Sequence, residues 1–231
     1  AISEAFLNED ARVLILDLPP QTEGEKQRSQ LEGASYFKCD VSDSKEVELV
    51  LDGIFSKRMH IDVLINNAGI LYNAPLVGLS PSGLVKHSID AWDRVISVDL
   101  NSVFYVSMNV AGHMVKNRTK GVILNISSIA ANGNKGQSAY SAAKAGVKAL
   151  MHTWSKELGP LGIRVLNVSP GFCETESTSN VMPVSVLDEI KREIPLKRLG
   201  SASEVADVVL MAVKNDYLSG TTIEIDGGLK I

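Results

Sequence analysis

Five short runs of largely β-branched apolar residues, at 12–17, 61–66, 121–127, 163–168 and 222–226, punctuate the chain and read as strands. Most are apolar at successive positions rather than at alternate ones, which is the pattern of strands covered on both faces. The stretches between them are long enough to be crossover helices, so the pattern predicts an α/β fold with a doubly wound parallel sheet. Two helices are predicted outright, at 88–116 and 138–158, because their apolar positions recur at helical spacing over several turns. Both are long enough to cover the sheet and also to meet a partner subunit. Residues 71–87 are expected to be irregular, since Pro75, Gly78, Pro81 and Gly83 interrupt any period.

The opening of the chain breaks the alternation. Ile2, Ala5 and Phe6 have the spacing of one helix face, yet no strand precedes them. In nucleotide-binding α/β folds the first strand is central to the sheet, and its Gly-rich turn holds a pyrophosphate. A sheet without that strand leaves two rows of unpaired backbone groups, at about 1–3 kcal/mol for each buried group. The reading is therefore of one dinucleotide-binding domain spanning 1–231 that is N-terminally incomplete, with about 10–20 further residues expected upstream, the length of a strand and its turn.

Composition narrows the class without changing it. The chain has 231 residues, 45% hydrophobic and 22% charged, with a formal net charge of −4 and both signs interspersed. No basic stripe is available to displace counterions from nucleic acid, so a small-molecule partner is expected. Cys39 and Cys173 are far apart and lie outside any C-x-x-C pair, which suits a reduced, cytoplasmic setting. No apolar run approaches the roughly 20 residues that cross a bilayer, and no secretory signal is apparent. His60, His87, His113 and His152 lack metal-ligand spacing, so they are expected at the surface and no metal is predicted.

The candidate chemistry starts at Tyr140-Ser-Ala-Ala-Lys144, in which residues four apart share a helix face and bring a phenol and an ammonium together. A nearby cation favours the phenolate and would move the tyrosine towards neutral pH, where it can exchange a proton with a substrate oxygen. The strand before this helix ends in Asn125-Ile-Ser-Ser128, and strand ends are where ligands sit in such folds. Ser128 could stabilise charge on a carbonyl oxygen, or it could merely satisfy loop amides. Asn66-Asn-Ala-Gly69, directly after an apolar run, lets a ligand approach the backbone, though it also reads as a plain turn. Asp17 ends the first run, where a carboxylate can accept from an adenosine ribose and would repel a 2′-phosphate, indicating NAD in preference to NADP. No Gly-x-Ser-x-Gly elbow supports a hydrolase.

Asn66-Asn-Ala-Gly69, Ser128, Tyr140-x-x-x-Lys144 and Ser169-Pro-Gly171 together resemble the short-chain dehydrogenase/reductase family in order and spacing, over nearly the whole chain. Ile194-Pro-Leu-Lys-Arg-Leu-Gly200 and Ile225-Asp-Gly-Gly-Leu229 are most similar to its 3-oxoacyl-acyl-carrier-protein reductases. Asp216-Tyr-Leu-Ser-Gly220 is also similar to type 2 3-hydroxyacyl-CoA dehydrogenases. The resemblance implies a nicotinamide-dependent oxidoreductase acting on a ketone or secondary alcohol, with an acyl thioester as the expected substrate and fatty acid metabolism as its setting. It implies that Tyr140 is the acid/base, that Lys144 lowers its pKa and binds the nicotinamide ribose, and that Ser128 orients substrate. It assigns cofactor contacts to Asp17, Asp40, Val41, Asn67, Ala68, Gly69, Tyr140, Lys144, Pro170, Gly171, Cys173 and Thr175, and it implies a homotetramer or homodimer. Two departures stand out: the family's Gly-rich turn is absent, and Asp99 occupies the usual asparagine position of a proton relay, where it can accept but cannot donate an amide proton. The alternative is a dinucleotide-binding regulator that retains the fold without the chemistry.

Overall fold

A computed structural model describes residues 1–19, 31–57, 59–81, 83–174 and 184–231. The chain opens with α1 (Ile2–Leu7), β1 (Val13–Asp17), β2 (Ala34–Lys38), α2 (Ser44–Ser56) and β3 (Val63–Asn66). A hairpin, β4 (Val77–Ser80) and β5 (Gly83–Lys86), leads to α3 (Ile89–Ile96), a π-helical turn at Ser97–Asn101, and α4 (Ser102–Asn117). Then come β6 (Val122–Ile126), α5 (Ser138–Leu158), β7 (Arg164–Pro170), β8 (Cys173–Glu174), α6 (Val184–Glu193), β9 (Gly200–Ser201), α7 (Ala202–Lys214) and β10 (Thr222–Ile225).

The predicted parallel sheet is present as β10-β7-β6-β3, with β1-β2 as a second parallel pair. Its central strands β6 and β7 are buried on both faces, and the alternation sorts their side chains into two layers. Ile123 and Val165 face a cluster with Val47, Leu51 and Ile54 of α2, Val110 and Met114 of α4, and Met151 of α5. Val122, Leu124, Leu166 and Val168 face the other way, onto Val205, Val209 and Ala212 of α7, with Ile2 and Phe6 of α1 beside them. The doubly wound expectation therefore holds at the level of individual side chains.

Between β1 and β3 the sheet is divided by a cavity of about 1700 Å³ that both strands line. The free edges of β1 and β3 have no strand partner among the described residues. β1 pairs in register with β2 from Val13↔Ala34, and β3 with β6 from Val63↔Val122.

Several elements differ from the sequence expectations. β2 was not predicted, because Ala-Ser-Tyr-Phe-Lys mixes polar and apolar positions; among the described residues it pairs with β1 alone. Residues 71–87 are not irregular throughout: β4 and β5 pair antiparallel, and Gly83 opens β5 at a φ of +119°. The expected helix at 88–116 is interrupted by five π-helical residues. His87 and His113 are half-buried rather than surface residues, and His113 stacks on Phe55 with ring centroids 3.8 Å apart. Among the described residues no helix is long and apolar enough to cross a membrane, and no acidic, histidine or cysteine cluster could hold a metal ion.

Candidate active site

Parallel strands end on one edge of the sheet, and there the loops after β3, β6 and β7 converge. A polar row underlies them. Asn66, Asn125 and Asn167 are register partners on β3, β6 and β7. Asn66 Nδ2 donates to Asn125 Oδ1 at 2.8 Å and to Ser107 Oγ of α4 at 2.9 Å, and Asn125 Nδ2 donates to Asn167 Oδ1 at 3.0 Å. Asn125 and Asn167 are fully buried, so these bonds hold the strand ends in one alignment. This row was not expected from the residue order; its available signal is an asparagine at a matching place in three apolar runs.

Above the row stands α5, with Tyr140 and Lys144 one turn apart on its inward face. Lys144 Nζ lies 5.5 Å from the centre of the Tyr140 ring. It donates to the Ile126 carbonyl at 3.1 Å and pairs with Asp99 Oδ2 at 3.3 Å. The π-helical turn carries Asp99 into the site, and its other carboxylate oxygen accepts the Ile70 amide at 2.8 Å. Close approach makes this convergence possible. A Cβ on Gly69 would stand 2.9 Å from Asp99 Oδ2 and 3.4 Å from Lys144 Nζ, and one on Gly146 would stand 2.9 Å from Leu100. The glycine of Asn66-Asn-Ala-Gly69 is thus needed by the charge pair behind it.

Ser128 follows β6 and faces the phenol. Its hydroxyl accepts the Ala130 amide at 3.1 Å, so it serves the loop as well as the site, while Ser127 is buried and donates to the Lys144 carbonyl. The loop into α5 is clasped to residues 73–74: the Ala74 amide donates to the Gly136 carbonyl at 2.8 Å, and Gln137 Nε2 donates to Asn73 Oδ1 at 3.0 Å.

The electrostatics depart from the sequence expectation at Tyr140. Its pKa is raised, not lowered: burial is the largest cause, the Asp99 charge adds to it, and hydrogen bonding with Ser128 opposes it. Burial also lowers Lys144 and raises Asp99, each opposed by the other's charge. Lys144 therefore shares its charge with Asp99 instead of offering it undivided to the phenol.

The residues assigned to the cofactor mostly meet at one cavity. Asp17, Val41, Asn67, Ala68, Gly69, Pro170, Gly171 and Cys173 all line the space between β1 and β3. Asp17 is exposed at the end of β1, with one carboxylate oxygen accepting the Leu18 amide at 2.8 Å. Gly171 is packed so tightly that a Cβ would stand 2.8 Å from Asp226 Cα. Asp40 does not line the cavity; its Oδ1 accepts from the Ser42 amide and hydroxyl, closing the turn before α2. Thr175 lies outside the described residues. Neither cysteine is activated: burial is the chief cause that lifts the Cys39 thiol to about 11, and burial followed by Glu204 raises Cys173.

The profile of the family described as Enoyl-(Acyl carrier protein) reductase matches residues 1–230. A 3-oxoacyl-[acyl-carrier-protein] reductase FabG of Thermotoga maritima is 40% identical, over 84% of this chain and 76% of its own length. A 3-hydroxyacyl-CoA dehydrogenase type-2 of Bos taurus is 33% identical over 100% of this chain and 90% of its own. Sorbitol-6-phosphate 2-dehydrogenase of Klebsiella pneumoniae is 35% identical over 99% and 90%. Among solved structures, a candidate gluconate dehydrogenase of Agrobacterium tumefaciens superposes with a TM-score of 0.86 at 25% identity, covering 98% of this chain and 89% of that one.

Proposed function

The chain belongs to the short-chain dehydrogenase/reductase family of oxidoreductases that interconvert ketones and secondary alcohols with NAD(P), and from that premise we propose that it uses NAD on a 3-oxoacyl or 3-hydroxyacyl thioester. The observation that carries the reading is the pairing of Tyr140 and Lys144 on one face of α5, beside a Gly69 that borders both Lys144 and the cavity. The similarity to 3-oxoacyl-[acyl-carrier-protein] reductases and 3-hydroxyacyl-CoA dehydrogenases supports the thioester.

The residues lining the cavity fit a dinucleotide. An exposed carboxylate stands at the adenosine end, and small residues without obstructing side chains, Ala68, Gly69 and Gly171, stand at the other. Asp17 supports NAD over NADP, because its carboxylate can accept ribose hydroxyls and repels a phosphate. Asn67, Ala68 and Gly69 would border the nicotinamide ribose, and Pro170, Gly171 and Cys173 its ring. The facing edges of β1 and β3 support a further parallel strand seated between them, with the dinucleotide across the strand-end mouth of the cavity, in keeping with the reading of 1–231 as part of one dinucleotide-binding domain.

Bound NAD would supply or remove the hydride. In reduction, the Tyr140 phenol gives its proton to the carbonyl oxygen while the Ser128 hydroxyl donates a hydrogen bond to the same oxygen. In oxidation, the Tyr140 phenolate takes the proton of the substrate hydroxyl. Lys144, held by Ile126 and Asp99, keeps its ammonium beside the phenol in either direction. We also read the protein as a cytoplasmic homodimer or homotetramer, because α4 exposes Phe104 and Met108 one turn apart, at 44% and 55%.

Titration of the full-length protein with NADH and NADPH, followed by turnover of an acetoacetyl thioester, tests this. NADH binding with turnover is the expected result. Tighter binding of NADPH would overturn the NAD assignment, binding without turnover would remove the thioester, and no binding of either nucleotide would favour a non-catalytic relative.

A further inference from the structure

Asp99 and Lys144 are the only charged side chains that are buried among the described residues, and they face each other at 3.3 Å. Such a pair is not needed to hold the π turn in place. A neutral side chain with a carbonyl oxygen at position 99 could accept the Ile70 amide equally well. The carboxylate adds a negative charge beside the Lys144 cation, which would otherwise draw Tyr140 towards phenolate.

We propose that Asp99 cancels the charge of Lys144 and so holds Tyr140 as the neutral phenol through neutral pH, tuning the site for ketone reduction and making alcohol oxidation climb with alkalinity. The phenol is the proton donor that reduction requires, whereas oxidation requires the phenolate. Asp99 is a positioning residue in this scheme: it acts through Lys144 and touches no substrate.

Among the described residues no other charge competes for the role. Tyr140 and Lys144 are the titratable groups on the inward face of α5, and Lys148, one turn further on, is half-buried. Asp90, Asp93 and Arg94 of α3 and Lys135 of the preceding loop are exposed. The segments packed beside Lys144 from β3 and β6, Gly69-Ile70 and Ile126-Ser127-Ser128, contribute only backbone groups and hydroxyls. Arg164 of β7 is occupied by the Ala212, Val213 and Leu218 carbonyls. The upward displacement of Tyr140, to which the Asp99 charge contributes, agrees with the geometry.

The inference rests on Tyr140 being the proton-transfer group, and its test does not need turnover. Ultraviolet difference titration of each protein against its Tyr140→Phe counterpart isolates the Tyr140 phenol from the other tyrosines. Asp99→Asn is expected to lower its midpoint by about 1–3 pH units, the usual effect of changing one close charge. The acid limb of the oxidation pH–rate profile should move the same way. A folded Asp99→Asn protein whose midpoint is unchanged or raised would overturn the inference; Asp99→Ser is the second neutral variant if the amide disturbs the π turn. An unimpaired Tyr140→Phe enzyme would instead remove the proton-transfer reading itself, so the two failures are separable.

Discussion

Tyr140 shows how far a spacing argument reaches. Four residues on a helix suffice to place the phenol and the Lys144 ammonium on one face, and the structure brings them to 5.5 Å. The direction of the phenol's titration depends instead on burial and on Asp99, which enters from a segment 41 residues earlier in the chain. The proton role can be tested separately from the tuning. Tyr140→Phe keeps the ring and removes the hydroxyl, so kcat should fall roughly 10²–10⁴-fold with little change in nucleotide binding. Steady-state kinetics alongside NADH titration would check both halves, and turnover at the parent rate would dismiss Tyr140 as the acid/base.

Among the elements, periodicity located the helices well and their interruptions poorly. The helix at 138–158 was legible to the residue. The π turn inside 88–116 was not, since Ser-Val-Asp-Leu-Asn continues an ordinary helical pattern and the extra residue per turn arises from packing, with Leu100 pressed against Gly146. The hairpin at 77–86 was hidden for a different reason. β5 is exposed throughout, and β4 turns Gly78 and Ser80 inward with Val77 and Leu79 exposed, so no apolar face marks either strand. The start of α7 is a local motif of the opposite kind: Ser201 Oγ accepts the Glu204 amide at 3.1 Å, and the Glu204 carboxylate accepts the Ser201 amide at 2.8 Å. Ser201→Ala should cost about 1 kcal/mol through loss of this cap, seen as a lower urea midpoint at unchanged slope. Equal midpoints would show that α7 is held by its buried face alone.

The whole molecule is a divided sheet between two helical layers, and α4 still presents apolar side chains outward. If Phe104 and Met108 of α4 meet a second subunit, light scattering will give a mass two- or fourfold that of one chain. Phe104→Glu with Met108→Glu should return it to a single chain by placing unpaired charges in the contact. A monomeric parent protein would refute the oligomer outright.

The residue order alone determined the fold class, the strand-and-helix alternation and the sharing of one helix face by Tyr140 and Lys144. Each depends on short-range periodicity or on residues within a turn of one another. Tertiary structure was needed for the Asn66–Asn125–Asn167 row, for the clasp between Asn73 and Gln137, for the division of the sheet between β1 and β3, and for the pairing of Asp99 with Lys144. Those features join residues 40 to 65 positions apart or more. The energy of such contacts is set by burial and by which charges share a low-dielectric space, and neither is written in any local stretch of chain.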